Sequence, residues 1–154
     1  MTRWLLPAGV AGGLVALTSM ALAPGSDLRV TGVTPDLARG EAIYAEACAA
    51  CHGANLQGEP DWRTPGPDGR LPAPPHDATG HTWHHPDRLL LDITLHCTAA
   101  VVGGGYESNM PGFAGDYSED ALKDVLAWIK TQWPEEQRIY QANATARDEQ
   151  NRAN

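Results

Sequence analysis

The chain has too few large apolar side chains to form a core from protein alone. From Asp27 onward, leucine, isoleucine, valine and phenylalanine make up about 16% of the residues. A charged chain below roughly 20% is expected to stay unfolded, because it buries too little apolar surface to offset the lost conformational entropy. The sequence therefore predicts either disorder or a fold whose centre is filled by something other than side chains.

The size and charge of the chain narrow the classes of protein to which it can belong. The 154 residues are enough for one domain. The chain carries 19 acidic and 11 basic residues, a formal net charge of −8. Binding to nucleic acid or to anionic lipid needs clustered lysine and arginine, so we expect no nucleic-acid partner. The acidic balance instead favours partners with basic docking surfaces.

Residues 1–26 form a predicted targeting segment. Arg3 supplies one positive charge, and residues 4–23 follow without charge over about 20 positions, the length of a bilayer span. The Ala-Leu-Ala sequence at 21–23 is typical of a signal-peptide cleavage site, whereas Pro24 disfavours cleavage there. The segment is therefore either a cleaved signal peptide or an uncleaved membrane tether. Both alternatives predict export, to the periplasm or to the periplasmic face of the inner membrane.

The exported part begins with a linker over residues 27–34 and then alternates helices with long loops. The pattern predicts a first helix from Pro35 to about Ala49, with Thr34 as its N-cap. Between Gly53 and Pro86, repeated prolines exclude regular helix and central strand. Ordered loops of this length are usually functional, so this proline-rich loop is expected to wrap around something.

Two further helices and a polar tail are predicted after this loop. Pro86 begins a second helix, which extends through Cys97 and ends in the glycines at 103–105. Ser118 caps a third helix that has an apolar stripe for the core. Residues 134–154 form a polar C-terminal tail, either helical or frayed.

Residues 48–52 read C-A-A-C-H, the attachment signature of c-type haem. The thiols of Cys48 and Cys51 can each form a thioether to one haem vinyl group, and the adjacent His52 is then carried beneath the iron as proximal ligand. A redox dithiol has no need of the histidine. A zinc site would want a second ligand pair, for which His96 and Cys97 are a poor match. The motif therefore predicts one covalent haem c, a large apolar group for the missing core.

The other axial ligand can be sought by elimination. Met1 and Met20 belong to the targeting segment, so Met110 is the single methionine of the exported domain. It lies in a loop where proline and glycine follow it and prevent helix. The alternative for a lone methionine is gap-filling in a core. Ligation of the iron by His52 and Met110 would fill both axial positions and leave none for a substrate.

Over residues 35–133 the chain resembles a class I c-type cytochrome. The resemblance rests on the haem motif, on Met110 followed by proline, and on four residues of the first and last helices: Gly40, Tyr44, Val125 and Trp128. It implies an all-α cytochrome c fold, with three to five helices wrapped around one covalently attached haem. It also implies that these four residues meet where the two helices cross, and that the protein transfers single electrons.

The resemblance further implies that the proline-rich loop lies along the haem edge. A proline carbonyl of this loop would accept the N–H of His52 and fix its tautomer. The sequence does not choose among the three that are well placed, Pro60, Pro72 and Pro74. Trp62 or Arg63 is expected to meet the haem propionates, since arginine favours carboxylates.

The chain departs from a minimal cytochrome of this class in three places: the long segment from Gly53 to Pro86, the tail beyond Pro134, and Cys97. Four histidines within ten residues suggest a second metal site for copper or zinc, and these are His76, His81, His84 and His85. The alternative is that they pack or hydrogen-bond near the haem, because Pro86 rules out a continuous helix through them. Cys97 remains after haem attachment, and is either a buried inert thiol or a reactive thiol that forms dimers.

These inferences predict a one-electron carrier rather than an enzyme. Its partners would be redox proteins, in particular membrane or periplasmic oxidoreductases. One alternative is a dedicated haem subunit of, or accessory to, such an oxidoreductase. A second is a haem enzyme with peroxidase-like activity if Met110 dissociates. A third is a haem protein that binds another metal through its histidines.

Overall fold

The computed structural model describes Met1 and residues 34–154, and the regular elements in this part of the chain are helices. The predicted targeting segment and nearly all of the predicted linker lie outside the described residues. Six α-helices follow in order: α1 Leu37–Ile43, α2 Ala49–His52, α3 Asp87–His96, α4 Thr98–Val102, α5 Glu119–Thr131 and α6 Glu135–Ala153. No strand occurs within residues 34–154.

The first two helices form one continuous helical stretch that ends at the haem motif. A π-helical turn, Tyr44–Cys48, joins α1 to α2. The Asp36 carboxylate caps α1 by accepting the N–H of Arg39, at 3.0 Å. The sequence-based choice of Thr34 as N-cap was wrong, because Asp36 places a stronger acceptor two residues later.

The crossing of α1 over α5 holds the fold together. Gly40 lies directly against the backbone of Asp124, and a Cβ atom added to it would lie 2.6 Å from the Asp124 carbonyl carbon. The same aspartate is buried and accepts the N–H of Asp36 at 3.0 Å and Nε of Arg39 at 2.6 Å. The Tyr44 ring packs on Trp128, with ring centroids 4.8 Å apart. The helix contact implied by the resemblance is therefore present.

The buried core is small and is built around this crossing. Tyr44 and Val125 are almost completely buried. The cluster of buried residues consists of Ile43, Tyr44, Leu56, Ala121, Val125, Ile129 and Trp133. Cys48 packs against it, so the haem motif and the core share one surface. A core of this size agrees with the shortage of apolar side chains in the sequence.

The second predicted helix is interrupted at Cys97, so the expectation of one helix through to the glycines was wrong. Cys97 has a left-handed backbone (φ +72°), which ends α3 at His96 and starts α4 at Thr98. Its Sγ accepts the N–H of Ala100 at 3.4 Å and caps the short helix. The Cys97 thiol is half-buried. The residue forms the turn between α3 and α4 and is not part of one continuous apolar helix face.

The polar C-terminal segment is a 19-residue helix, α6, that packs on the chain before α3. Gln141 is buried and donates to the carboxylate of Asp87 at 2.5 Å and to the carbonyl of His85 at 3.3 Å. Lys130 of α5 pairs with the same Asp87 carboxylate. None of the helices in residues 34–154 has the length and apolar character that crossing a bilayer demands.

Candidate haem site

The two cysteines of the haem motif lie at the carboxyl end of the first helical stretch. Both are free thiols, Cys48 half-buried and Cys51 exposed. Burial, and then the neighbouring Cys51, raises the pKa of Cys48 to about 11. A redox dithiol needs a lowered thiol pKa, as found at a helix N-terminus. The position at the carboxyl end of a helix and the raised pKa of Cys48 therefore disfavour redox dithiol chemistry at this pair.

His52 is buried and one of its two ring nitrogens is already engaged. Its Nδ1 lies 2.8 Å from the carbonyl oxygen of Pro74, which acts as acceptor for a proton on that nitrogen. Of the three prolines left open by the sequence, Pro74 therefore occupies the position. Burial lowers the pKa of His52 and favours the neutral ring. A neutral imidazole protonated on Nδ1 presents an unprotonated Nε2, which is the form that binds a metal.

A second histidine covers the ring of His52. The His76 ring stacks on it with centroids 3.9 Å apart and an interplanar angle of 18°. Burial is the main cause that lowers the pKa of His76 well below its ordinary value, with the neighbouring His52 adding to it. The sequence placed His76 among metal-binding histidines and gave no signal for this stacking, which depends on how the proline-rich loop returns to α2.

The loop that carries Met110 is attached to the carboxyl end of α3. The N–H groups of Phe113 and Ala114 donate to the carbonyls of Thr94 and Leu95, at 3.0 and 3.1 Å. These carbonyls belong to the last turn of the helix, where intrahelical partners are lacking. Gly112 makes the approach possible, because a Cβ atom there would lie 2.7 Å from the Leu95 oxygen.

Local hydrogen bonds hold the Met110 side chain and backbone. The hydroxyl of Thr98, at the start of α4, donates to Sδ of Met110 at 3.5 Å. The Met110 N–H donates to Oγ of Ser108 at 3.1 Å. The preceding residue is Asn109, and its Oδ1 accepts a hydrogen bond from Nη1 of Arg70 at 2.8 Å. This bond ties the proline-rich loop to the loop that carries Met110, called the methionine loop below. Sequence reasoning missed Thr98 and Arg70, for which no motif signal exists.

The four histidines of the proline-rich loop do not converge on one point, although two of them contact each other. His76 lies on His52, whereas His84 packs edge-on against Trp83, with centroids 3.8 Å apart. His81 and His85 contact each other, and Nδ1 of His81 lies 3.1 Å from Nε2 of His85. No group of three or more histidine, cysteine or acidic side chains in the described part of the chain is arranged to hold a metal ion. The arrangement gives no support to a four-histidine metal site.

Trp62 and Arg63 form a local cluster with one of these histidines. The Arg63 guanidinium lies 4.0 Å above the Trp62 ring, and that ring stacks on His81 at 5.4 Å. Arg63 is exposed. A contact of either residue with haem propionates stays a prediction.

The donor groups of the C-x-x-C-H motif fit a covalently attached haem c. Two thiols that are not paired in a disulfide stand beside an imidazole with one free nitrogen. A thioether sulfur is presented from a separate, well-anchored loop. Covalent attachment needs the thiols of Cys48 and Cys51 with the imidazole of His52 beside them, and ligation of the iron by Met110 stays a prediction.

Comparison with known proteins adds one finding. The family model described as Cytochrome c matches residues 37–133. No curated protein and no solved structure matches the chain. The matched range runs from the first residue of α1 to Trp133, and thus contains the C-x-x-C-H motif, the proline-rich loop, the methionine loop and α5. It confirms the all-α cytochrome c fold and the covalent haem c expected from the sequence.

Proposed function

The chain belongs to the cytochrome c family, and on this premise we propose that it is an exported one-electron carrier with His52 and Met110 as axial ligands. The family attaches haem c through the C-x-x-C-H motif, here Cys48, Cys51 and His52. The bound haem supplies reversible one-electron chemistry at its iron. The residues around the site decide whether that chemistry serves electron transfer or turnover of a substrate.

The observation that most supports this function is that hydrogen bonds within the protein restrain the side chains of both proposed ligands. Pro74 holds Nδ1 of His52, and Thr98 donates to Sδ of Met110. The methionine loop is fixed to α3 by two backbone hydrogen bonds. Restrained ligands change little between oxidation states, and two axial ligands leave no position for peroxide or another substrate. These features support a carrier in preference to an enzyme.

Replacing the proposed distal ligand tests this function. Met110→Ala is expected to retain covalent haem, to lose the sulfur-to-iron charge-transfer band of the ferric protein, and to have a lower reduction potential. Asp116→Asn, in the same loop and exposed, is the matched control and is expected to keep both. An unchanged spectrum and potential in Met110→Ala would show that the methionine is not a ligand.

The same variant tests the alternative of a peroxidase-like enzyme. If Met110 blocks the distal position, the wild-type protein is low-spin and inactive towards peroxide, whereas Met110→Ala becomes high-spin and gains turnover. A wild-type protein that is high-spin and already turns over peroxide would favour the enzyme. This comparison separates the two functions because both readouts come from the same preparations.

We further propose that the haem domain works outside the cytoplasm. The uncharged run over residues 4–23 and the following Ala-Leu-Ala support export. Mass spectrometry of the protein from membrane and periplasmic fractions distinguishes an uncleaved tether from a cleaved signal peptide. Recovery of the haem protein from the cytoplasm alone would contradict export.

The proposed partners are redox proteins, in particular membrane or periplasmic oxidoreductases. The net charge of −8 favours a partner with a basic docking surface. Reduction of the haem by such a partner should slow as ionic strength rises, because salt screens the attraction between opposite charges. Co-purification from membranes, followed by this salt titration, identifies the partner and tests the charge complementarity.

A further inference from the structure

His76 contacts the proposed proximal ligand directly, but neither haem attachment nor iron ligation assigns it a role. Its ring lies nearly parallel to that of His52, with an interplanar angle of 18° and a centroid separation of 3.9 Å. The other aromatic neighbour of His76, Tyr44, meets it edge-on at 6.0 Å and 61°. His76 is therefore clamped between one face-to-face and one edge-to-face contact.

The backbone of His76 is fixed at both polar groups. Its N–H donates to the carbonyl of Leu56 at 2.8 Å. Its carbonyl accepts Nε1 of Trp133 at 2.6 Å, and both Leu56 and Trp133 belong to the buried core. The backbone that carries the His76 ring is therefore held beside His52 by hydrogen bonds to core residues.

One ring nitrogen of His76 makes no hydrogen bond within the described residues. Nδ1 is buried and has no hydrogen-bond partner among the described residues. A buried polar atom without a partner costs free energy, which an apolar side chain of the same size would avoid. The contact that the His76 ring makes with His52 uses its flat face.

The hydrogen bond from His52 to Pro74 fixes the tautomer of the ring and restrains its edge at Nδ1. The stacked His76 ring adds a contact across the whole face of the imidazole. We propose that His76 is a positioning residue that fixes the plane of the His52 imidazole by stacking on it. This inference rests on the proposed role of His52 as proximal ligand.

Two substitutions of similar bulk separate stacking from space filling. His76→Phe keeps a flat aromatic face, whereas His76→Leu fills the space without one. In the haem-loaded ferric protein, the orientation of the ligand plane sets the g values in electron paramagnetic resonance and the spread of haem methyl shifts in NMR. We expect His76→Leu to shift both signatures and His76→Phe to keep them close to wild type.

The control is His84→Leu, since His84 packs on Trp83 and not on His52. The proposal is overturned if His76→Leu gives the wild-type spectra, or if His76→Phe shifts them as much as His76→Leu does. Failure of the proposed function would be recognised in the wild-type protein, which would then lack the low-spin signals of histidine and methionine ligation. The two outcomes are therefore distinguishable in one set of samples.

Discussion

The Arg70 guanidinium donates from Nη1 to Oδ1 of Asn109 over 2.8 Å and so joins two loops that are 39 residues apart. Nε of the same side chain lies 3.4 Å from the Glu107 carboxylate. Asn109 directly precedes Met110, and Arg70 lies four residues before Pro74, the acceptor for His52. One side chain therefore couples the loop behind the proposed proximal ligand to the loop that carries the proposed distal one.

Removing this link should make the methionine easier to displace. We expect Arg70→Ala to destabilise the present conformation of the methionine loop by about 1 kcal/mol, the free energy of one hydrogen bond. Added imidazole would then replace the methionine sulfur with roughly fivefold higher apparent affinity. Optical titration of the ferric protein measures this change. Arg147→Ala, on an exposed position of α6, is the control, and equal affinities in the two variants would contradict the coupling.

Substitution of Gly40 should destabilise the helix crossing. An alanine Cβ there would overlap the Asp124 backbone, which cannot move aside as a flexible side chain would. We expect Gly40→Ala to lower the free energy of unfolding by about 2 kcal/mol, measured by guanidinium denaturation of the haem-loaded protein. Gly115→Ala is the matched control, since a Cβ atom at Gly115 meets nothing within 4 Å. Equal denaturation midpoints for both variants would mean that the crossing is not tight.

The hydroxyl of Tyr44 should contribute to stability through one hydrogen bond. It donates to the carbonyl of Gly53, the residue after the haem motif, at 2.9 Å. Burial is the main cause that raises the pKa of Tyr44, so the hydroxyl stays protonated as a donor. Tyr44→Phe removes this hydrogen bond while the Gly53 carbonyl still accepts the N–H of Leu56 at 3.1 Å, and should cost about 1 kcal/mol. Thermal unfolding checks this, and Tyr140→Phe, on an exposed ring, should have no effect.

Stability should fall as the pH drops below the ordinary histidine range. Burial lowers the pKa values of His81 and His85, and neighbouring histidines lower them further. Because the folded protein then binds fewer protons than the unfolded chain, acidification below about 6.5 favours unfolding. Above that pH both states are neutral at these positions and the effect disappears. Denaturation midpoints at about pH 7.5 and about pH 5.5 measure the difference.

The double variant His81→Asn with His85→Gln tests which groups cause this pH dependence. It removes both titrating rings, so the difference between the two pH values should become smaller than in the wild type. His96→Gln, on an exposed position at the end of α3, is the control and should leave the difference unchanged. A double variant as sensitive to acid as the wild type would assign the effect to other groups.

Local sequence signals predicted the elements that depend on neighbours in the chain. Ser118 caps α5 as expected, with its hydroxyl accepting the N–H of Ala121. The proline-rich loop contains no α-helix or strand between α2 and α3, because proline lacks the donor that both structures need. Two helix boundaries were missed. At the start of α1, only the backbone shows that Asp36 rather than Thr34 is the N-cap. At the end of α3, only the backbone shows that Cys97 has a positive φ.

The sequence by itself determined that the chain would carry covalent haem, because the C-x-x-C-H spacing is local chemistry, and that a core would be scarce without it. Only the tertiary structure decided which proline holds His52, which residues anchor Met110, and that the four loop histidines of the described chain do not form one metal site. Those relationships join residues far apart in the chain. Their geometry follows from the packing of α1 on α5 and from the return of the loop, and no local pattern encodes it.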